Sequence, residues 1–136
     1  VEAGAVRSCG IAARNRGTTI DVRSLFYNVP ARQKFQKSAS SSGAQVLRVI
    51  QTLALAHPEV AFSLTSQDRE VFRTERRLDW RERVKEVLGE LAHEVKHRAG
   101  EYFVYGLIGS PEEAKGTRSC QHVFLNKRPV FSPVIS

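Results

Sequence analysis

Polar and apolar residues alternate near the start of the chain. Thr18, Ile20 and Val22 face one way against Thr19, Asp21 and Arg23, and with Asn15-Arg16-Gly17 as a turn this period of two predicts an antiparallel hairpin over residues 5–9 and 18–26. Pro30 lacks a ladder donor, so Asn28-Val29-Pro30 ends the second strand, and Pro30 opens a short helix that runs through Phe35. Residues 37–43 read as a serine-rich loop. The period then changes: Val46, Val49, Ile50 and Leu53 recur at the i, i+3, i+4, i+7 spacing of a core-facing helix, which stops at His57 because Pro58 disfavours helical dihedrals before it.

Alternation returns at Val60, Phe62 and Leu64, followed by a Gln67-Asp68 turn and a return strand over residues 71–74. Asp79 is a natural N-cap for a helix striped by Val84, Val87 and Leu88 and ended by Gly89. Residues 102–107 are apolar on both faces, which suggests a central strand. Val123-Phe124-Leu125, the turn Asn126-Lys127 and Pro129-Val130-Phe131 begin another strand pair. Strands outnumber helices, so the expected class is α/β (α+β), a two-layer sandwich of a mixed sheet with helices packed on it.

Length and composition add bounds to that picture. The 136 residues, 41% hydrophobic and 26% charged, support one modest core. There is no methionine and the chain begins at Val1, so it reads as a segment of a larger protein. The longest aliphatic run, residues 53–56, is far short of the roughly 18–20 residues of a membrane-spanning helix. No signal-peptide pattern opens it. Cys9 and Cys120, two thiols far apart in the chain, form no disulfide framework and fit a reducing compartment.

The net charge of +7 is uneven. Residues 1–43 hold seven basic and two acidic groups, whereas 44–100 hold ten and nine and 101–136 four and three. Clusters such as Arg14/Arg16 and Arg32/Lys34/Lys37 suit phosphates, while the mixed run from Asp68 to Glu86 has the look of a solvated surface.

Two strings invite catalytic readings. His93-Glu94-Val95-Lys96-His97 fits H-E-x-x-H, in which two histidines one helical turn apart hold zinc. The pattern works only on a helix, and the alternation around it is strand-like, which separates the histidines by roughly 13 Å. No third ligand is evident, so no metal site is assigned. Ser119-Cys120-Gln121-His122 sets a thiol near an imidazole, but a packed cysteine beside a surface histidine accounts for it without an orienting partner. His57 at a helix C-terminus is explained by the helix dipole. No phosphate-cradling glycine string occurs, and no autonomous catalytic machinery is visible.

The stretch from Gly17 to Phe35 stands apart. A threonine at the mouth of a strand offers a hydroxyl to a carboxylate, a water or a ligand edge, and Tyr27, Asn28 and Pro30 stiffen a turn that presents Arg32 and Lys34. Its plain reading is a strand, a turn and a helix start with exposed charges. The string Gly17-Thr18-Thr19, Leu25-Phe26-Tyr27-Asn28, Pro30-Ala31-Arg32 and Lys34-Phe35 also resembles the signature of the MutL family of DNA mismatch-repair proteins. Leu55-Ala56-His57-Pro58-Glu59-Val60-Ala61-Phe62-Ser63-Leu64 and Val123-Phe124-Leu125-Asn126-Lys127-Arg128-Pro129-Val130 are similar to two further segments of that family, in the same order.

The resemblance implies that residues 1–37 are the last strands of an ATPase domain of the gyrase, histidine-kinase and MutL superfamily. Residues 38–136 would then be most of a transducer domain, shared with gyrase B and a small-subunit ribosomal protein. Gly17-Thr18 matches the last nucleotide-site motif, so Thr18 would support the adenine-binding aspartate. The other nucleotide motifs are absent from the chain; ATP and magnesium would belong to the full-length protein, and none is expected on this segment. Arg128 matches an arginine facing a DNA-binding groove, and Lys127 stands where the family often has glycine, adding a charge. A turn needing positive φ there would strain a lysine. Arg32 and Lys34 match basic positions that face either DNA or another protomer. Implied partners are DNA of any sequence, a MutS-type mismatch-recognition protein and a second protomer, with no membrane; implied localisation is cytoplasmic if bacterial and nuclear if eukaryotic. The competing class is a stand-alone nucleic-acid-binding module of the same fold.

Overall fold

The computed structural model describes residues 1–11, 13–36, 38–90, 93–114, 116 and 120–131. The chain divides into two compact units, Val1–Ser38 and Ala39–Ser136.

The first unit carries one short helix, α1 (Pro30–Lys34), with Pro30 in its first turn, where the missing N–H costs nothing. A turn precedes it: the Tyr27 N–H donates to the Ser24 carbonyl at 3.0 Å and the Val29 N–H to the Phe26 carbonyl at 2.9 Å. The hairpin expected over 5–9 and 18–26 does not form; the unit's only β pairing among the described residues is the bridge between Glu2 and Ala5. A lone two-stranded ribbon is marginal without a surface to cover its apolar face. Here Ile20 and Val22 stay 82% and 70% exposed.

The second unit is built from helices and hairpins. Helix α2 (Ala39–Ala56) starts inside the residues expected to be a loop, taking in Ser40–Ser42 and Gly43. Serines suit a first helical turn, and one glycine costs only about 1 kcal/mol against the propagation of an 18-residue helix. Its end is where Pro58 demands: the His57 N–H closes the last bond, 3.0 Å to Leu53 O. The buried face is rotated from the expected stripe. Ala54 and Ala56 are buried, with Leu47 and Ile50 half-buried, whereas Val46, Val49 and Leu53 are exposed.

β1 (Phe62–Ser66) and β2 (Arg69–Thr74) pair antiparallel, with a register shift after Leu64. Gln67 and Asp68 have φ of 50° and 59°, the left-handed pair that a tight two-residue hairpin turn requires. Helix α3 (Trp80–Leu88) is capped as its sequence demands. The Asp79 carboxylate accepts from the Arg81 N–H at 2.9 Å, and Gly89, at φ 87°, donates its N–H to Lys85 O.

β3 (His93–Ala99) and β4 (Tyr102–Ile108) form the longest hairpin, and β5 (Phe124–Leu125) with β6 (Arg128–Pro129) the shortest. The α/β class is thus realised with small antiparallel sheets: among the described residues the strands pair as three separate hairpins rather than as one mixed sheet. β4, expected to be central, has β3 on one side only, and its residues Tyr102–Tyr105 are exposed.

The centre of this unit is a cation. Arg83, on α3, is fully buried together with Ala54 and nearly so with Thr74. Its Nη1 donates to Ala54 O at 2.8 Å, and its Nη2 to Val60 O at 2.8 Å, Glu75 O at 2.6 Å and Pro58 O at 3.1 Å. A single guanidinium therefore gathers the carbonyl end of α2, the 57–60 turn and the exit of β2. The α2 carbonyls carry the negative end of the helix dipole, so the placement is favourable for a positive charge. This corrects the expectation that the mixed-charge run 68–86 is all solvated surface.

Candidate nucleic-acid interface

The turn between β5 and β6 is two residues long, which forces both into left-handed backbone: Asn126 has φ 50° and Lys127 φ 64°. Asparagine tolerates that region, while a lysine Cβ is crowded there at a cost of roughly 1–2 kcal/mol. The hairpin closes with the Val130 N–H donating to Val123 O at 2.9 Å.

What lies beneath explains how the turn is held. Lys127 Nζ donates to Glu59 Oε1 at 3.0 Å, and His57 Nδ1 stands 3.2 Å from the same oxygen. The Glu59 carboxyl is held down to about 2 by its own backbone N–H first, then by the hydrogen bonds of Lys127 and His57. It is anionic at any physiological pH and pairs with Lys127 in an exposed salt bridge. Arg128, next in sequence and exposed, has no acidic partner among the described residues. Of the two cations expected on this turn, Arg128 is therefore the one free for a phosphate, and Lys127 is half-committed to holding the turn.

The anchor reaches the buried arginine. Pro58 O and Val60 O, which flank Glu59, are both acceptors of Arg83, and Pro58 O also accepts the Arg77 N–H at 2.8 Å. Arg77 in turn reaches Glu86 at 3.1 Å. Burial pushes the Glu86 carboxyl up, but the hydrogen bonds from Arg77 and the Glu75 N–H outweigh it, leaving a net downward shift. Sequence reasoning gave His57 only a helix-end role and passed over Glu59. The signal was there in the His-Pro-Glu order, since a proline-stopped helix end throws the next side chains out beside the stop.

The other expected site residues lie in the first unit and are described within it. Thr18 is exposed and follows Gly17, whose φ of 144° is one that L side chains rarely adopt. A Cβ at Gly17 would meet nothing within 4 Å, so the glycine answers to backbone conformation and not to space. Arg32 and Lys34 are exposed on α1, two residues apart, and positions two apart on a helix do not face each other. They form no single patch on that helix.

The two catalytic strings resolve without a centre. His93 and His97 both lie in β3, where four residues of extended chain separate them beyond the span of one metal ion. In the Cys120/His122 pair the expected burial is reversed: Cys120 is exposed, and His122 is half-buried, its imidazole shifted down by burial first and the Arg48 charge second. Ser119, Lys37 and the rest of the terminal segment after Phe131 lie outside the described residues. Among the described residues no helix is long and apolar enough to cross a membrane.

No protein-family model matches the chain. Curated relatives do. The DNA mismatch repair protein MutL of Anaeromyxobacter dehalogenans is 39% identical over 134 residues, covering 96% of this chain and 22% of its own length. Those of Chlamydia trachomatis serovar L2 and Clostridium tetani are each 36% identical over 140 residues, covering all of this chain and 24% and 23% of their own lengths. Among solved structures, the Aquifex aeolicus MutL ATPase domain complexed with ADP superposes with a TM-score of 0.71 at 32% identity, covering 84% of this chain and 44% of that one. The chain spans less than a quarter of the length of these curated relatives, and along essentially all of its own length it belongs to the MutL family.

Proposed function

We propose that the chain works as a coupling region of a MutL-type DNA mismatch-repair protein. Residues 1–37 close a nucleotide-binding ATPase domain, and residues 38–136 make up most of a transducer domain that carries the state of the nucleotide to DNA, to a second protomer and to a MutS-type partner. The observation that carries this reading is the 36–39% identity to MutL proteins over essentially the whole chain. The division of the chain after Ser38 supports the boundary. The exposed Ile20 and Val22 also fit it, as strand residues whose partners belong to the remainder of an ATPase domain.

The residues present fit only one edge of a nucleotide site. Thr18 offers an exposed hydroxyl behind the turn that Gly17 permits. ATP and its magnesium ion would supply the phosphoanhydride and the charge that the whole protein acts on; this chain contributes one hydrogen-bonding group to the adenine end and no catalytic residue. Its direct chemistry is electrostatic. Arg128 contacts a DNA phosphate without regard to sequence, Lys127 reinforces it from the turn, and Glu59 limits how far Lys127 can reach. Arg32 and Lys34 present separate positive charges from α1 to DNA or to the second protomer. A stand-alone nucleic-acid-binding module is the other class of reading, and it leaves the Gly17-Thr18 pair without a purpose.

The test is Arg128→Glu in a fluorescence-anisotropy titration of duplex DNA. Affinity falls for every sequence tried, and the slope of log affinity against log salt drops by about one. An unchanged titration at low salt removes Arg128 from the interface.

A further inference from the structure

The two edges of the β3–β4 hairpin differ. β3 carries Glu94, Lys96 and Arg98 along its length, charges that deter a neighbouring strand, whereas β4 has no charged residue and no proline. The hairpin turns through Gly100 and Glu101 alone, with Ala99 opposite Tyr102 as the closing pair. A two-residue turn makes that flanking pair the hydrogen-bonded one. Tyr102, Val104, Gly106 and Ile108 therefore bond to β3, while Phe103, Tyr105 and Leu107 aim their N–H and C=O groups at the open edge. None of these three forms a backbone hydrogen bond elsewhere among the described residues.

The two faces differ as well. On one, Phe103 lies opposite Arg98, Tyr105 opposite Lys96 and Leu107 opposite Glu94. The other carries Tyr102, Val104 and Ile108 opposite Ala99, His97 and His93, with no Asp, Glu, Lys or Arg. Val104 and Ile108 are 61% and 54% exposed. On the charged face, Glu94 is shared by Arg81, whose Nε donates to it at 3.1 Å, and by Lys96 at 2.9 Å, and Arg98 has no ion-pair partner among the described residues. An edge with unmet donors and acceptors is matched by another strand. Such a strand sets its side chains alternately on the two faces, so the one that fits is acidic at every second position and apolar between. A polyanion without a peptide backbone offers acceptors only and leaves the edge carbonyls facing negative charge. A second copy of β4 brings no carboxylate to Arg98.

We propose that the outer edge of β4 docks an extended acidic peptide of a partner protein, which adds antiparallel to β4 as a third strand of this sheet. Its carboxylates stand opposite Phe103 and Tyr105 and meet Arg98 and Lys96 across one strand, a backbone separation of roughly 10 Å that long side chains from both sides close. Its apolar residues lie on the other face beside Val104 and Ile108. The inference goes beyond the DNA contact assigned to Arg128 and does not depend on it.

The probe is a fluorescein-labelled peptide of alternating glutamate and valine, titrated against the chain by anisotropy. Glutamates that face the cations also turn their own N–H groups toward β4, whereas the valine N–H groups point away. A peptide N-methylated at its glutamates therefore loses affinity by about 10-fold or more, and one N-methylated at its valines binds like the parent. Neither peptide alters the protein, so folding of the chain does not enter the comparison. Arg98→Glu, an exposed substitution, weakens the parent peptide by about 3- to 10-fold. Equal affinity of the two N-methylated peptides overturns the proposal, as does an unchanged titration with Arg98→Glu. Displacement of the peptide by inorganic polyphosphate as readily as by unlabelled peptide shows a face for anions at large and also overturns it. So does a chain that sediments as a dimer that the peptide leaves intact, because a second copy then holds the edge. The duplex titration of Arg128→Glu tests the proposed function separately, and its failure leaves the β4 docking edge standing.

Discussion

Replacing Arg83 by methionine keeps the length of the side chain and removes its charge and all its donors. Four carbonyls, of Ala54, Pro58, Val60 and Glu75, lie within 2.6–3.1 Å of the guanidinium, and His57 O lies at 3.4 Å. A hydrogen bond to a charged group contributes about 1.5–3 kcal/mol, but Nη2 shares its two protons among three of these acceptors, so the contributions do not add. Arg83 Nε also stands 3.3 Å from Glu86 Oε2, and breaking a buried ion pair by removing one partner costs about 3–5 kcal/mol, which is the loss expected for Arg83→Met. A domain of this size has roughly 5–15 kcal/mol in all, so the loss is a third or more of the stability over most of that range. Urea unfolding followed by far-UV circular dichroism, with Trp80 fluorescence as a second probe, reads the change as a midpoint lowered by about 2 M or more, given a slope of about 1–2 kcal/mol per M. Arg83→Lys recovers only part of it, because an ammonium lacks the planar fork that reaches three chain segments together. If Arg83→Met unfolds within about 1 kcal/mol of the wild type, the guanidinium does not organise this unit.

Three further outcomes follow from the geometry. Lys127→Gly relieves left-handed strain while losing an exposed ion pair worth at most about 1 kcal/mol, so stability in urea stays level or rises by up to about 1 kcal/mol; a loss beyond that amount contradicts the strain argument. The Glu59 carboxyl sits at about 2 in the fold against an ordinary 4.5, so its stabilising contribution is complete above pH 4.5 and is lost as pH falls toward 2. The difference in urea midpoint between wild type and Glu59→Gln therefore shrinks across that window, and a difference independent of pH removes Glu59 from the anchor. On the proposed reading, in which Thr18 alone belongs to the nucleotide motifs, the chain incubated with ATP and magnesium releases no phosphate above background; measurable turnover sinks the assignment of the chain as a coupling region.

Local chemistry was legible wherever neighbours along the chain settle the matter. Pro30 and Pro58 set one helix start and one helix stop, Asp79 and Gly89 capped α3, and Gln67-Asp68 and Asn126-Lys127 made the tight turns expected of them. The strand character of the His93–His97 string was also readable, since alternation with period two is a property of the sequence itself. The MutL signature between Gly17 and Phe35 is legible for the same reason: it is a contiguous string.

What distant residues do together was decided only in three dimensions. Charge alternation between Asp68 and Glu86 looks the same whether an arginine faces water or carbonyls, and only the convergence of α2, the 57–60 turn and β2 made Arg83 the centre of the second unit. The hydrophobic stripe of α2 named a helix but not its inner face: Ala54 and Ala56 are buried, while Val46, Val49 and Leu53 stay exposed. Residues 5–9 and 18–26 carry a strand pattern and form no ladder, since a pattern states which side chains alternate, whereas a sheet also needs a neighbour against which to bury them. Likewise the sequence placed Lys127 and Arg128 side by side as DNA candidates, Arg128 on a family position and Lys127 as an added charge beside it. Tertiary structure made them unequal by setting a carboxylate 68 residues away against one of them and leaving the other to solvent.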